Sequence, residues 1–223
     1  TIAPYLAPGA EHVIIYHLVT EGRASVRLEN GESLVLGAGE IVVFPHGDPH
    51  VVENGAATRT VDMSQELTRV FCQGLKLSRL GGGGELTRFV CGYMACESQL
   101  SQVFLSGLPP LFKVSIRDDA SGRWLENSIR FSVDHADSPR AGEGAVLAKL
   151  SEVLFVETLR GYIGNLPPEQ TGWLAGARDS VVGKTLALMH RQPAHPWTLA
   201  ALAKEIGVSR SVLAERFRYY FND

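Results

Sequence analysis

Residues 178–221 restrict the fold most, because their apolar side chains fall into three stripes at helical spacing, separated by segments too short for anything but turns. Val182, Thr185, Leu186 and Met189 form the first stripe, with Asp179 or Ser180 available as N-cap. Leu199, Leu202, Ala203 and Ile206 form the second. It starts after Thr198, whose hydroxyl can accept a backbone N–H while Trp197 staples onto Leu202. Gly207 ends that helix in a left-handed conformation that only glycine adopts cheaply. Ser209 then caps a third helix with Val212, Leu213, Phe217 and Tyr220 on its buried side. Helix, short glycine turn, helix is the expected result.

This arrangement presents its last helix to the major groove of DNA, N-terminal residues first. The residues left facing outward are Arg210, Ser211, Ala214, Glu215 and Arg218, which makes them the candidate DNA-binding set. From residue 178 onward there are seven Lys and Arg against four Asp and Glu, in a chain whose net charge is −3. A basic tail on an acidic body suits phosphate contact through counterion release. A purely structural three-helix unit would share the skeleton, but has no need of that charge.

The run from His190 to Phe217, with Trp197-Thr198 opening one helix and Ser209-Arg210-Ser211 opening the next, resembles the first helix-turn-helix of the AraC family of transcription regulators. The resemblance implies double-stranded promoter DNA as partner and a homodimer. It also implies a second such unit after a long helix. This chain stops at Asp223 and begins at Thr1 without Met, so a truncated or trimmed product is expected, with the second unit missing.

Upstream, the first hundred residues alternate short Val/Ile/Leu/Phe runs with Gly, Pro, Asn and Asp, the pattern of an antiparallel barrel or sandwich. The runs are HVIIYHLV, RASVRLEN, GESLVLG, EIVVFP, HVVEN, LTRVFCQGLKLS and ELTRFVCGYM, with Asn30-Gly31 as a hairpin turn and Gly81 to Gly84 as a loop. Residues 99–112 read as irregular. From about Glu143 to Tyr162 the period becomes helical, with Val146, Leu147, Leu150, Val153, Leu154 and Leu159 in a stripe broad enough to serve a dimer. The expected class is α+β: a sensor barrel over 1–142, a dimerisation helix and linker over 143–170, and the helix-turn-helix over 171–223.

Gly39, Pro45, Gly47, His50 and Asn54 stand at the spacing G-x5-P-x-G-x2-H-x3-N, in which the tight reversal presents His50 from the returning strand toward the interior. This resembles the second signature of the cupin superfamily, whose metal-binding members also carry a first signature with histidines and a glutamate. Here the glutamate position falls on Ile15 and the histidine positions fall near Gly9 and Glu11, so the usual triad is missing. His17 shares a strand face with Ile15, which puts His17 and His50 together as candidate ligand-binding residues. With Cys91, or with His46 in the turn, they make a candidate site for zinc, iron or another divalent metal. Cys91 and Cys96 are five apart and face opposite sides of a regular strand.

Three cysteines, with no secretory signal, point to a reducing cytoplasm, and no apolar run is long enough to span a bilayer. Two functions follow. The first is a one-component transcription regulator, not an enzyme, whose barrel senses a small molecule, a metal or redox state. The alternative is a cupin metalloenzyme, a dioxygenase or isomerase, with a helical oligomerisation appendage. The missing glutamate favours the regulator.

Overall fold

The computed structural model describes residues 6–7, 9–55, 61, 63, 79, 84–96, 105–135, 142–167 and 169–221. Seven strands precede six helices among them: β1 (His12–Glu21), β2 (Arg23–Leu28), β3 (Ser33–Gly37), β4 (Glu40–Phe44), β5 (His50–Glu53), β6 (Arg88–Cys96), β7 (Phe112–Ser115), α1 (Ala120–Asp134), α2 (Glu143–Gly164), α3 (Trp173–Arg178), α4 (Val182–Arg191), α5 (Leu199–Ile206) and α6 (Arg210–Phe221).

The strands form two antiparallel sheets, ordered β6-β1-β4-β7 and β3-β2-β5. They share one core: Val13, Ile15 and Val19 of β1, Val42 and Phe44 of β4, Val26 and Leu28 of β2 and Leu36 of β3. The described strands leave this an open two-sheet barrel rather than a closed one. β1 is buried on both faces, since Ile14, Tyr16 and Leu18 are as hidden as the inward residues. The reason lies in the helices. Tyr16 donates from its hydroxyl to Ser151 Oγ of α2 at 2.8 Å, and Phe112 of β7 packs on Tyr162 at 4.4 Å between ring centroids. Arg117 makes a two-pronged pair with the buried Glu126 of α1, at 2.7 and 2.6 Å.

Several sequence expectations need correcting. Helix begins at Ala120, well before residue 143, because the Asp119 carboxylate accepts from Gly122 N and starts α1 inside the span assigned to the barrel. Phe112 opens a strand instead of closing an irregular stretch. Leu154 is fully buried against its own body, while Val146, Val153 and Val156 are the exposed large apolar residues among those described in α2. The run LTRVFCQGLKLS and the loop Gly81 to Gly83 lie outside the described residues.

The chain divides into two compact units, one holding the sheets with α1 and α2 through Tyr162, the other holding residues 163–223 with Ser106–Leu108. In the second unit the Leu202, Ala203 and Leu213 cluster, with Trp197, Ile206 and Phe217 packed on it, holds α5 to α6. Gly207 does adopt φ 78°, and Thr198 accepts from Ala201 N at 3.1 Å. Val212 and Leu199, however, are 41% and 42% exposed, so neither belongs to the buried stripes to which their spacing assigns them.

Candidate functional site

The reversal between β4 and β5 explains nearly every fixed position of the His50 signature. Gly39, at φ 88°, leaves room for the Arg117 side chain, whose Cδ lies 2.3 Å from where a Cβ would stand. Gly47, at φ 66°, turns hard against the Val13 carbonyl. Pro45 offers its carbonyl to His12 Nε2 at 2.6 Å, and Asn54 ties the end of β5 to Glu85 O and Thr87 Oγ1. His50 is tied to the same turn through the Asp48 carbonyl, and its other nitrogen points at His17.

β1 and β6 pair so that His17 stands opposite Cys91, and His17 on its other side approaches β5. The result is a chain of contacts. Cys91 Sγ lies 2.8 Å from His17 Nδ1, His17 Nε2 lies 2.7 Å from His50 Nε2, and His50 Nδ1 lies 2.8 Å from the Asp48 carbonyl. Phe44 stacks flat on His50 at 3.7 Å. Proton positions follow from the end of the chain. A carbonyl only accepts, so His50 Nδ1 carries the hydrogen; its Nε2 must then accept from His17 Nε2–H, and His17 Nδ1 accepts the Cys91 S–H. Both imidazoles are neutral in this assignment. Burial, with the facing His50, holds His17 down to about 3, and burial lowers His50 against the opposing pull of Asp48. Burial likewise pushes the Cys91 thiol up to about 12. Cys91 is nonetheless open to solvent on one side, although its thiol is crowded by neighbouring atoms.

The geometry also limits what a metal could use. Cys91 and His50 sit on opposite nitrogens of the His17 ring, so they cannot reach one ion together with it. The two facing Nε2 atoms stand 2.7 Å apart, a hydrogen-bond distance and shorter than the roughly 3.3 Å between two nitrogen ligands of a tetrahedral zinc, so they would have to part to share a divalent cation. His46 is exposed in the turn and meets His12 edge-on at 6.4 Å. Cys96 pairs opposite His12, at the far end of β6 from the site. Among the described residues no three His, Cys, Asp or Glu side chains form a metal cage. Asp48, through its carbonyl, and Phe44 complete the site, and nothing in their spacing announces them.

In the second unit Ser209 Oγ accepts from Val212 N at 3.2 Å and starts α6, while Leu213 is wholly buried. Arg210, Ser211, Glu215 and Arg218 are exposed and Ala214 is half-buried beside them, so the five outward residues stand on the open side of the helix. Arg210, Ser211 and Ala214 join Leu199 in lining one shallow cleft. Arg216, one place beyond Glu215, turns instead to Asp179.

Comparison with known proteins supplies the context. Residues 3–164 match the cupin family. Over 215 residues the chain is 26% identical to the HTH-type transcriptional regulator AlkR of Acinetobacter baylyi, covering 94% of this chain and 69% of that protein. An AraC-like transcription regulator of Streptomyces antibioticus is 33% identical over 144 residues, 64% of this chain and 46% of its own length. The RCS-specific HTH-type transcriptional activator RclR of Escherichia coli is 25% identical over 211 residues, 94% of this chain and 64% of its own. The chain therefore spans between about half and about two thirds of the length of these relatives.

Proposed function

The chain belongs to the cupin family over residues 3–164 and, with the helix-turn-helix that follows, to the AraC-type transcription regulators, and from that premise we propose that it is the sensor and first reading unit of a sequence-specific DNA-binding regulator. The observation that carries this is the α5–Gly207–α6 unit. Its own core consumes Leu202, Ala203 and Leu213, and leaves Arg210 in the first turn of α6, where a helix enters the major groove deepest. The relatives named above are transcription regulators, which favours a binding protein over a cupin metalloenzyme.

In this reading the His17, His50 and Cys91 cluster receives the signal. Its neutral hydrogen-bonded chain suits an uncharged small effector, whereas the raised pKa of the Cys91 thiol keeps it protonated and counts against a redox signal. If a divalent cation such as zinc is the signal, His17 Nε2 and His50 Nε2 would hold it. No helix of the described residues is long and apolar enough to cross a membrane; a cytoplasmic site of action is part of the proposal. Two copies would pair through the exposed valines of α2, giving two reading units for two half-sites.

Footprinting of the chain on its own upstream DNA, beside metal analysis of purified protein, tests both halves. Protection of a defined site is expected, and loss of metal in His50→Ala if metal is bound. Absence of any protected site, with uniform weak binding in its place, would overturn the regulator.

A further inference from the structure

The cleft at the start of α6 joins two chemistries. Arg210 and Ser211 bring a guanidinium and a hydroxyl from the first turn, whereas Leu199 and Ala214 bring methyl groups, one from the opening residue of α5 and one from the next turn of α6. Leu199 is 42% exposed, although Leu202, three places on, is buried. The cause is the cap. Thr198 fixes the helix start so that Leu199 is its first residue, beyond the end of the Leu202, Ala203 and Leu213 core.

Resting on the DNA-binding reading above, we infer that Leu199 and Ala214 form a seat for the 5-methyl group of thymine, beside the base pair addressed by Arg210. The unit then prefers a T·A pair next to a G·C pair. Among the base edges of the major groove the thymine methyl is the apolar feature, and an alanine is a recognised contact for it. A guanidinium fork matches guanine O6 and N7, and a serine hydroxyl serves either neighbour. Phosphate alone is a poorer occupant: it satisfies Arg210 but sets charged oxygens against Leu199. The net positive charge from residue 178 onward favours duplex DNA over an apolar peptide segment.

The test uses the whole 223-residue chain. Duplexes enriched from a randomised library are compared with copies in which each thymine in turn is replaced by deoxyuridine, a change that removes only the methyl. At one position the replacement should weaken binding about fourfold, the affinity equivalent of one buried methyl group. Leu199→Ala, folded by circular dichroism, should bind the two duplexes alike and keep the salt dependence of the parent. Ala214→Ser should lose the same discrimination. Equal affinity for thymine and deoxyuridine at every position in the parent chain would overturn the seat while leaving DNA binding intact. Full discrimination retained by Leu199→Ala would overturn the role of Leu199. Failure of the library to enrich any sequence would overturn the DNA-binding reading, and the seat with it.

Discussion

Asp179 holds two helices with one carboxylate: Oδ1 accepts from the Val181 and Val182 amides at 2.9 Å, and Oδ2 pairs with the Arg216 guanidinium of α6. The carboxylate is nearly buried, and Arg216 also lies over the Tyr220 ring at 5.8 Å. A residue placed at the start of α4 thus fixes the back of α6, the helix proposed to read DNA. Burial works to raise the Asp179 pKa, but the Val182 and Val181 amides and Arg216 outweigh it and hold the carboxyl below its ordinary value.

Asp179→Ala should therefore lose about 1 kcal/mol or more, the usual cost of a missing helix cap, whereas Asp179→Asn keeps the accepting oxygen and should lose less. Urea midpoints of the two variants separate capping from charge. Because the folded pKa is depressed, the share owed to charge is present above about pH 4 and disappears as pH falls through the folded value. The parent and Asp179→Asn should converge in stability at acid pH.

The His17 and His50 pair gives the cupin body its own pH dependence. Folded pKa values below that of free histidine mean that the unfolded chain binds more protons at mildly acid pH. Stability is full above about pH 6.5 and is lost as pH falls from there toward the folded values, His17 alone contributing on the order of 2 kcal/mol between about pH 7 and pH 5. Denaturant unfolding of chelator-treated protein at both pH values measures it, and His17→Gln should flatten the dependence. An unchanged slope in that variant would assign the protons elsewhere.

Gly92 is bare because Tyr16 lies across it: a Cβ there would stand 2.2 Å from the Tyr16 hydroxyl oxygen. Gly92→Ala should push the ring aside, break its bond to Ser151 and cost about 1–3 kcal/mol. Tyr16→Ala should itself destabilise the protein, yet make the added methyl nearly harmless. A double-mutant cycle on thermal midpoints should show this coupling, and simple additivity would disprove it.

On α2 the exposed residues Val146, Val153 and Val156 are the face available to a second copy, while Leu154 is committed to its own body. Val153→Lys with Val156→Glu should yield a folded monomer in analytical ultracentrifugation. Leu154→Lys should instead unfold the cupin body, since it buries an unpaired charge. A dimer that survives the double valine change would move the interface off this helix.

Along α6, Arg210 and Arg218 should fail differently. Loss of Arg210, in the first turn, should cost about 1–3 kcal/mol on a preferred sequence and relax the preference. Loss of Arg218, two turns farther on, should weaken all sequences alike and reduce the salt slope by about one unit. Gel-shift titrations at several salt concentrations distinguish the two.

Spacing along the chain was enough to locate α5 and α6, the Gly207 turn and the Thr198 and Ser209 caps, because each depends on neighbours within a few residues. The turn that delivers His50 was legible for the same reason: glycine at positive φ and proline act locally. Strand parity also put His17 on the inner face. The tertiary structure decided what those side chains do. That Cys91 reaches the nitrogen of His17 opposite to the one facing His50 depends on which rungs β1 shares with β6, and no local pattern encodes a pairing across 74 positions. α1 escaped notice because two of the five residues on its buried side, Gly122, Leu125, Glu126, Ile129 and Ser132, are polar, and Glu126 is accepted there only because Arg117, from the loop before the helix, neutralises it. Leu199, Val212 and Leu154 make the same point in miniature. Helical period says which residues share a face, but only the packing of one element on another decides whether that face meets the core, solvent or a partner.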